Sequence, residues 1–213
     1  MFNVYPLRCP GLSTLYSKIT SKTKPNAHIY LNSSIIRELR WLSNYIISAP
    51  PVWIFSATSW GPIEAWSAGL HQLEVFTDTS PIALAYYFPS LNFAYYAPLP
   101  SNPPTNPIFW FEALTICSAI HHAANVWACD FSPKLNCLLV RTDSMNSVHM
   151  FNSLHAKPAY NSILVSSINA HINSSLDVRV YHLLGDDNSI ADAISHKNFS
   201  LAHWYTCSGM NLQ

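Results

Sequence analysis

Two apolar runs in this 213-residue chain close on the same pair of residues. Leu73-Glu74-Val75-Phe76-Thr77-Asp78 is stopped by Thr79, Ser80 and Pro81, and Leu138-Leu139-Val140-Arg141-Thr142-Asp143 is followed by Ser144. Their β-branched, aromatic and aliphatic content marks both as strands. If the strands are parallel neighbours, Asp78 and Asp143 share the carboxyl edge of one sheet, where open α/β folds hold their ligands. Two further acids interrupt apolar segments: Glu112 in Phe109-Trp110-Phe111-Glu112-Ala113-Leu114, and Asp192 in Ile190-Ala191-Asp192-Ala193-Ile194. A carboxylate buried there without a partner would cost several kcal/mol or stay protonated. A metal ion or a basic partner would relieve that cost. The whole chain has only 11 acidic residues, so four in such places call for an explanation.

The elements around these acids are readable by period and punctuation. Residues 1 to about 30 carry Pro, Ser, Lys and Tyr without sustained periodicity and are expected to be mostly irregular. Asn32-Ser33-Ser34 can cap a helix over Leu31 to Ile47, where Ile35, Ile36, Leu39, Leu42, Tyr45 and Ile46 recur at helical spacing. Ser48-Ala49-Pro50-Pro51 ends it, and Trp53 to Trp66 is expected to be a linker or small packing unit. After the first Thr-Asp strand, Ile82 to Phe88 and Leu91 to Tyr96 read as two strands joined at Pro89-Ser90. Tyr86-Tyr87 and Tyr95-Tyr96 alternate on them, so each pair splits between two faces. Leu99 to Pro107 is a Pro/Asn loop, and Ile108 to Val126 is helical. The second Thr-Asp strand follows, then helices over about 145–154 and 161–172 and a strand over Asp177 to Leu183. The turn Gly185-Asp186-Asp187-Asn188 leads into a short helix from Ser189 to His196. This order implies an α/β domain with a mixed sheet.

Composition narrows the function classes. The chain is 49% hydrophobic and only 10% charged, against about a quarter charged in an ordinary globular protein, which argues against disorder. No Asp, Glu, Lys or Arg occurs from Thr79 to Phe111, yet Pro81, Pro89, Pro98, Pro100, Pro103, Pro104 and Pro107 break that span. It holds no run of about 20 helix-compatible apolar residues. The start lacks the charged and apolar regions of a signal peptide, so no membrane partner is expected and the expected location is intracellular, in cytoplasm or nucleus. Five cysteines without a Cys-x-x-Cys pair indicate neither a disulfide framework nor a zinc knuckle, and Cys129 and Cys137 with His121 and His122 lack zinc-site spacing. Net charge is zero, but Arg8, Lys18, Lys22, Lys24, Arg37 and Arg40 stand against Glu38 alone before Trp41. That basic lead could track a phosphate backbone or form a solvated surface.

Taken in order, four pieces are identified by their likeness to one family. Thr77-Asp78-Thr79-Ser80, Glu112-Ala113-Leu114, Thr142-Asp143-Ser144 and the run Gly185 to Ser195, with Gly-x-x-Asn-x-x-Ala-Asp-x-x-Ser, resemble the ribonuclease H domain of retroelement reverse transcriptases. Ile108 to Leu114 and Phe151-Asn152-Ser153-Leu154 look especially like fungal-type retrotransposon polyproteins. Ile36-Arg37-Glu38-Leu39-Arg40-Trp41-Leu42 is similar to the segment linking polymerase to ribonuclease H in them. The resemblance implies a connection-like segment over 1–70, a ribonuclease-H-like domain over 71–200 and a tail over 201–213. Its fold would be a mixed five-stranded sheet flanked by helices, with a small helical or irregular N-terminal appendage.

The activity implied is metal-dependent hydrolysis of the RNA strand of an RNA–DNA hybrid, with two Mg²⁺ ions (Mn²⁺ as the alternative). Asp78 would bridge the ions, Glu112 and Asp143 would complete the one nearer the leaving group, and Asp192 the one that activates water. Two divalent ions about 4 Å apart repel each other, and hard cations take oxygen ligands, hence so many carboxylates. A polymerase region supplied elsewhere is the implied protein partner. Two departures stand out: Pro81-Ile82-Ala83-Leu84 replaces the small residues usual after the first Asp, and His196 stands where Arg is usual. Two alternatives stay open: an inactive ribonuclease-H-like binding or scaffolding relic, and, more weakly, a transposase or integrase core. Asp186 and Asp187 read as a solvated turn, and His121-His122, Phe109 and Trp110 as packing residues.

Overall fold

A computed structural model describes residues 8–24, 26–48, 72–103, 107–127, 137–174, 176–206 and 210–213. The linker reading for Trp53 to Trp66 lies outside these residues. Two helices come first, α1 (Arg8–Thr20) and α2 (Ser33–Ser48), then β1 (Gln72–Thr79), β2 (Ala83–Phe88), β3 (Phe93–Pro98) and α3 (Pro107–His122). A π-helical turn, Ala123–Trp127, prolongs α3. The chain continues through β4 (Cys137–Thr142), α4 (Met145–Ser153), α5 (Asn161–Ser174), β5 (Asp177–His182), α6 (Ser189–Ser195), α7 (Phe199–Thr206) and β6 (Asn211–Leu212).

The strands form one mixed sheet in the order β5-β4-β1-β2-β3-β6. β1, β2 and β3 run antiparallel, while β4 lies parallel to β1 and β5 parallel to β4. The expected mixed sheet flanked by helices is therefore present, with a two-residue sixth strand parallel to β3. The stretch 201–213, expected as a tail, holds most of α7 and all of β6.

Alternation along the central strands assigns the faces. Leu73 and Val75 of β1, Tyr86 and Phe88 of β2, and Leu138 and Val140 of β4 point into the larger core, with Ile116 and Ile120 of α3 and Leu164 and Ile168 of α5. Ala85, Tyr87 and Ala94 point the other way, against Ala193 and Ile194 of α6, Ala202 of α7 and Met210. Covered on both faces, every residue of β2 is buried, as a strand between two helical layers must be. The paired tyrosines split as their alternation predicts, Tyr86 and Tyr95 toward α3, Tyr87 and Tyr96 toward α6 and α7. The β2–β3 connection turns through Pro89–Leu91 and closes at Asn92, whose φ of 45° is the left-handed conformation Asn tolerates.

At the sheet margin, Asn152 of α4 donates to the Val180 carbonyl at 2.6 Å and accepts from its N–H at 3.1 Å. Its amide thereby imitates one rung of a neighbouring strand on β5, the kind of device that blunts an exposed edge.

The N-terminal stretch corrects one expectation: residues 8–20 are helical rather than irregular. Their local pattern is weak because what holds α1 comes from far along the chain. Ser13 Oγ donates to the Ala156 carbonyl at 2.8 Å, and Asn161 Nδ2 donates to the Pro10 carbonyl at 2.7 Å. Gly11 lets α1 and α2 touch: a Cβ there would stand 2.8 Å from the Leu42 Cβ. In α2 the expected cap is found, Asn32 Oδ1 accepting from Ile35 N at 3.0 Å. Trp41 of α2 reaches α5, its Nε1 donating to Asn169 Oδ1 at 2.8 Å.

Candidate carboxylate site at the sheet edge

The parallel β1–β4 register sets Phe76 opposite Arg141. Carried two residues further, it brings Asp78 opposite Asp143, on strands about 4.8 Å apart. Thr77 binds the pair together, its Oγ1 donating to the Arg141 carbonyl at 3.0 Å. Both acids fall on the face that α6 covers, because Asp78 has the parity opposite to the buried Val75 and Thr77.

Helix α6 is fastened to that edge by residues of the Gly-x-x-Asn-x-x-Ala-Asp-x-x-Ser run. Asn188 Nδ2 donates to the Thr77 carbonyl at 3.0 Å, and Ser195 Oγ donates to Asp78 Oδ2 at 2.5 Å. Ser80 Oγ donates to the Ser195 carbonyl at 2.7 Å. Asn188 and Ser195 are almost wholly buried, and Ala191 between them lets the helix lie flat on the sheet. Asp192, one residue on from Ala191, is turned outward and exposed, its Oδ1 3.6 Å from Nε2 of His196 one turn later.

Glu112 arrives from the opposite layer. The segment that carries it, α3, is anchored beside the end of β1 by a 2.8 Å bond between Thr79 Oγ1 and Thr115 Oγ1. The Thr115 hydroxyl also lies 2.8 Å from the Phe111 carbonyl, to which it donates, which leaves Thr79 to supply the other proton. One helical turn before Thr115, Glu112 accepts a hydrogen bond from the Ser144 hydroxyl. Ser144 is the N-cap of α4, accepting from Ser147 N, so the residue after Asp143 ties the Glu112 carboxylate to the end of β4.

Electrostatics show which acids sense one another. Burial raises the Asp78 carboxyl above its ordinary value, the Ser195 hydrogen bond opposes this, and Asp143 and Asp192 raise it further, with His196 acting downward. Burial likewise raises Glu112, Ser144 opposes it, and Asp143 and Asp78 add to the rise. Asp78 is thus the centre of the group: Asp143, Asp192 and Glu112 are each coupled to it, and Glu112 is coupled to Asp143 as well. Among the described residues, no lysine or arginine is among the charges that act on either carboxyl.

An all-oxygen donor set of this kind, with carboxyls that repel and resist ionising, is one that a hard divalent cation would relieve. Yet no three acidic, histidine or cysteine side chains among the described residues stand close enough to grip an ion as they are placed. Asp78 and Glu112 are instead held by serine hydroxyls, and the exposed Asp143 and Asp192 would have to turn inward to join them.

Other acids near the sheet serve different ends. Glu74 Oε1 accepts from Arg141 Nε at 2.8 Å across β1 and β4, and Asp186 and Asp187 are exposed in the turn before α6. His121 and His122 are bonded within the fold, to Ser166 Oγ at 2.9 Å and to the Tyr86 hydroxyl at 2.8 Å. The residues that reading by motif left without a role are Ser195, Ser144 and Asn188. Spacing puts Asn188, Ala191 and Ser195 on one face of a helix, but nothing local distinguishes a serine that binds a carboxylate from one that packs.

No family model and no curated protein sequence matches this chain. Among solved structures it is similar to RNase H1 from the halophilic archaeon Halobacterium salinarum NRC-1, over 61% of this chain and 98% of that one, at a TM-score of 0.46 and 12% identity. A likeness so distant carries no activity across. No helix among the described residues is long and apolar enough to cross a membrane.

Proposed function

We propose that the chain is a metal-dependent nuclease of the ribonuclease H type, hydrolysing the RNA strand of an RNA–DNA hybrid. The observation that supports it best is that Glu112, Asp143 and Asp192 all act on a single half-buried carboxyl, Asp78, with no lysine or arginine among the described residues acting on it. On this reading Asp78, Glu112, Asp143 and Asp192 would hold two Mg²⁺ or Mn²⁺ ions. When bound, the ions would supply an activated water and would stabilise the departing oxygen. The chain's own part is positional. On this reading the β1–β4 register would present Asp78 and Asp143 as neighbours, α3 and Ser144 would hold Glu112 at the sheet edge, and Asp192 on α6 would turn inward to join them. The source that the sequence motifs favour is a retroelement polyprotein, with polymerase supplied by a separate region. Preference for RNA would rest on contacts to 2′-hydroxyls across the minor groove.

A second reading has its own observation. The carboxyls are not gathered tightly enough to hold an ion as placed, which suits a relic that keeps the fold and binds or scaffolds nucleic acid without cutting it. Purified protein, an end-labelled RNA–DNA hybrid and Mg²⁺ or Mn²⁺ separate the two. The nuclease reading expects cleavage confined to the RNA strand, abolished by chelator and lost in Asp143→Asn. Binding of the hybrid without cleavage under either metal would leave the scaffold.

A further inference from the structure

A cavity of about 470 Å³ lies between α3 and strands β2 and β3. Its floor is the half-buried ring of Tyr95 on β3, one face of which is stacked on the buried Tyr86 of β2, with centroids 5.0 Å apart and planes 13° from parallel. Its wall is one face of α3 and the turn after it, carrying Thr115, Ser118, His122 and Asn125. These follow one another at spacings of three and four residues, so the polar groups form a row above the rings. Thr115 is the link to the carboxylate edge, since its hydroxyl is bonded to Thr79, the residue after Asp78. The cavity therefore opens about one helical turn from Glu112.

The chemistry of the lining selects the ligand. Among the described residues that line it there is no Asp, Glu, Lys or Arg. Burial lowers the His122 imidazole from its ordinary value, which favours its neutral form. A wall without lysine or arginine disfavours phosphate, whose desolvation needs cationic donors, and one without carboxylates offers too few anionic oxygens for a divalent ion. Of the two tyrosines, Tyr95 can offer a further aromatic plane on the face turned away from Tyr86, and stacking on such a plane is tolerant of which base is presented. The hydroxyls of Thr115 and Ser118 already donate to the helix carbonyls of Phe111 and Leu114 at 2.8 Å each. Thr115 is buried and already accepts from Thr79, but the half-exposed Ser118 can still accept from an exocyclic amine, and Asn125, exposed at the mouth, offers an amide donor and acceptor. The size falls within the range of about 300–1,000 Å³ usual for small-molecule sites.

We propose that this cavity is a nucleobase-binding site, taking the base of an unpaired nucleotide adjoining the strand held at the carboxylates. The identity of the ligand as part of a nucleic-acid substrate rests on the nuclease reading. The capacity to bind a free nucleoside does not, and it is tested without turnover. Adenosine, uridine and inorganic phosphate are titrated in turn into the purified chain without divalent metal, and NMR shifts are followed at Tyr95, Ser118 and His122. The expected result is saturable shifts with either nucleoside, with dissociation constants on the order of 1 mM, and none with phosphate. Ser118→Trp, which fills the space with a side chain on a half-exposed helix position, is expected to weaken nucleoside binding at least about tenfold. Tyr95→Leu, which removes the ring of the floor, is expected to weaken it about fivefold or more, as loss of a stacking partner does. Absence of saturable shifts with both nucleosides overturns the proposal, as does binding that Ser118→Trp and Tyr95→Leu both leave intact. A chain that binds nucleosides in this way yet cuts no hybrid would refute the nuclease and keep the pocket.

Discussion

Glu38 and Asp78 are both acids set among apolar elements, and the protein treats them in opposite ways. Glu38 of α2 receives three donors: Thr14 N at 2.8 Å and Thr14 Oγ1 at 2.6 Å from α1, and Asn161 Nδ2 at 3.0 Å from α5. It acts as a staple that joins three helices, and no other carboxylate faces it in these contacts. Asp78 receives one side-chain donor, Ser195, and is surrounded by Asp143, Asp192 and Glu112, which oppose its ionisation. A structural carboxylate is matched by fixed donors that return its desolvation cost. A group left short of donors among like charges is held in a state that folding alone does not favour, and such unrelieved sites are where function concentrates.

The sharpest way to break this contrast is through activity. Replacing Asp78 by Asn is expected to lower the rate of hybrid cleavage at least about 1,000-fold, equivalent to about 4 kcal/mol in the barrier. Comparison of initial rates under saturating Mg²⁺ checks this. Glu38→Ala attacks the other member of the pair. It strands the Thr14 and Asn161 donors and is expected to destabilise the fold by about 2–3 kcal/mol, seen as a drop in Tm of about 4–10 °C. Its cleavage rate below the transition should change little, because Glu38 touches none of the four carboxylates' partners.

Smaller effects sharpen the same point. Gly11→Ala pushes a Cβ against Leu42 and should cost about 1–2 kcal/mol, measured by urea unfolding, since two helix backbones must part where α1 and α2 meet. The smallest expected change concerns pH. Asp78 and Glu112 have folded-state pKa values above their ordinary ones, so the folded chain holds these protons more tightly than the unfolded chain. Their contribution is therefore most favourable at low pH and is lost as pH rises from the ordinary carboxyl range through the folded values. In metal-free buffer Asp78→Asn should raise Tm by a few degrees at pH 7 and narrow that loss. An unchanged or lowered Tm would mean that Asp78 is as well satisfied as Glu38.

Much of the frame was legible from local pattern. The twin Thr-Asp endings pointed to two strands that lie together if parallel, and the register of β1 on β4 places them so. The alternating tyrosines announced two strands whose paired rings split between the faces of the sheet, and they do so. What escaped was whatever depends on partners far away in the chain. The segment Arg8 to Thr20 is poorly periodic and contains Pro10 and Gly11, so nothing local announces a helix. Its bonds run to Ala156 and Asn161, more than 140 residues on. Strand β6 is two residues long and exists only because β3 offers an edge. At the carboxylate edge the acids themselves stood out by their apolar surroundings. The hydroxyls that hold them did not, because a serine in a helix looks alike whether it caps, packs or binds a carboxylate. How tightly the four acids close also lies beyond pattern, since it depends on charge balance among side chains rather than on period.

The central claim, that these carboxyls together form a seat for divalent cations, is tested most directly by calorimetric titration of Mn²⁺ into the metal-free chain at neutral pH. The expected result is saturable uptake of two ions per chain, with affinity falling at least about tenfold in Asp78→Asn and unaffected in Glu38→Gln. Absence of saturable uptake, or uptake identical in the wild type and Asp78→Asn, would contradict it.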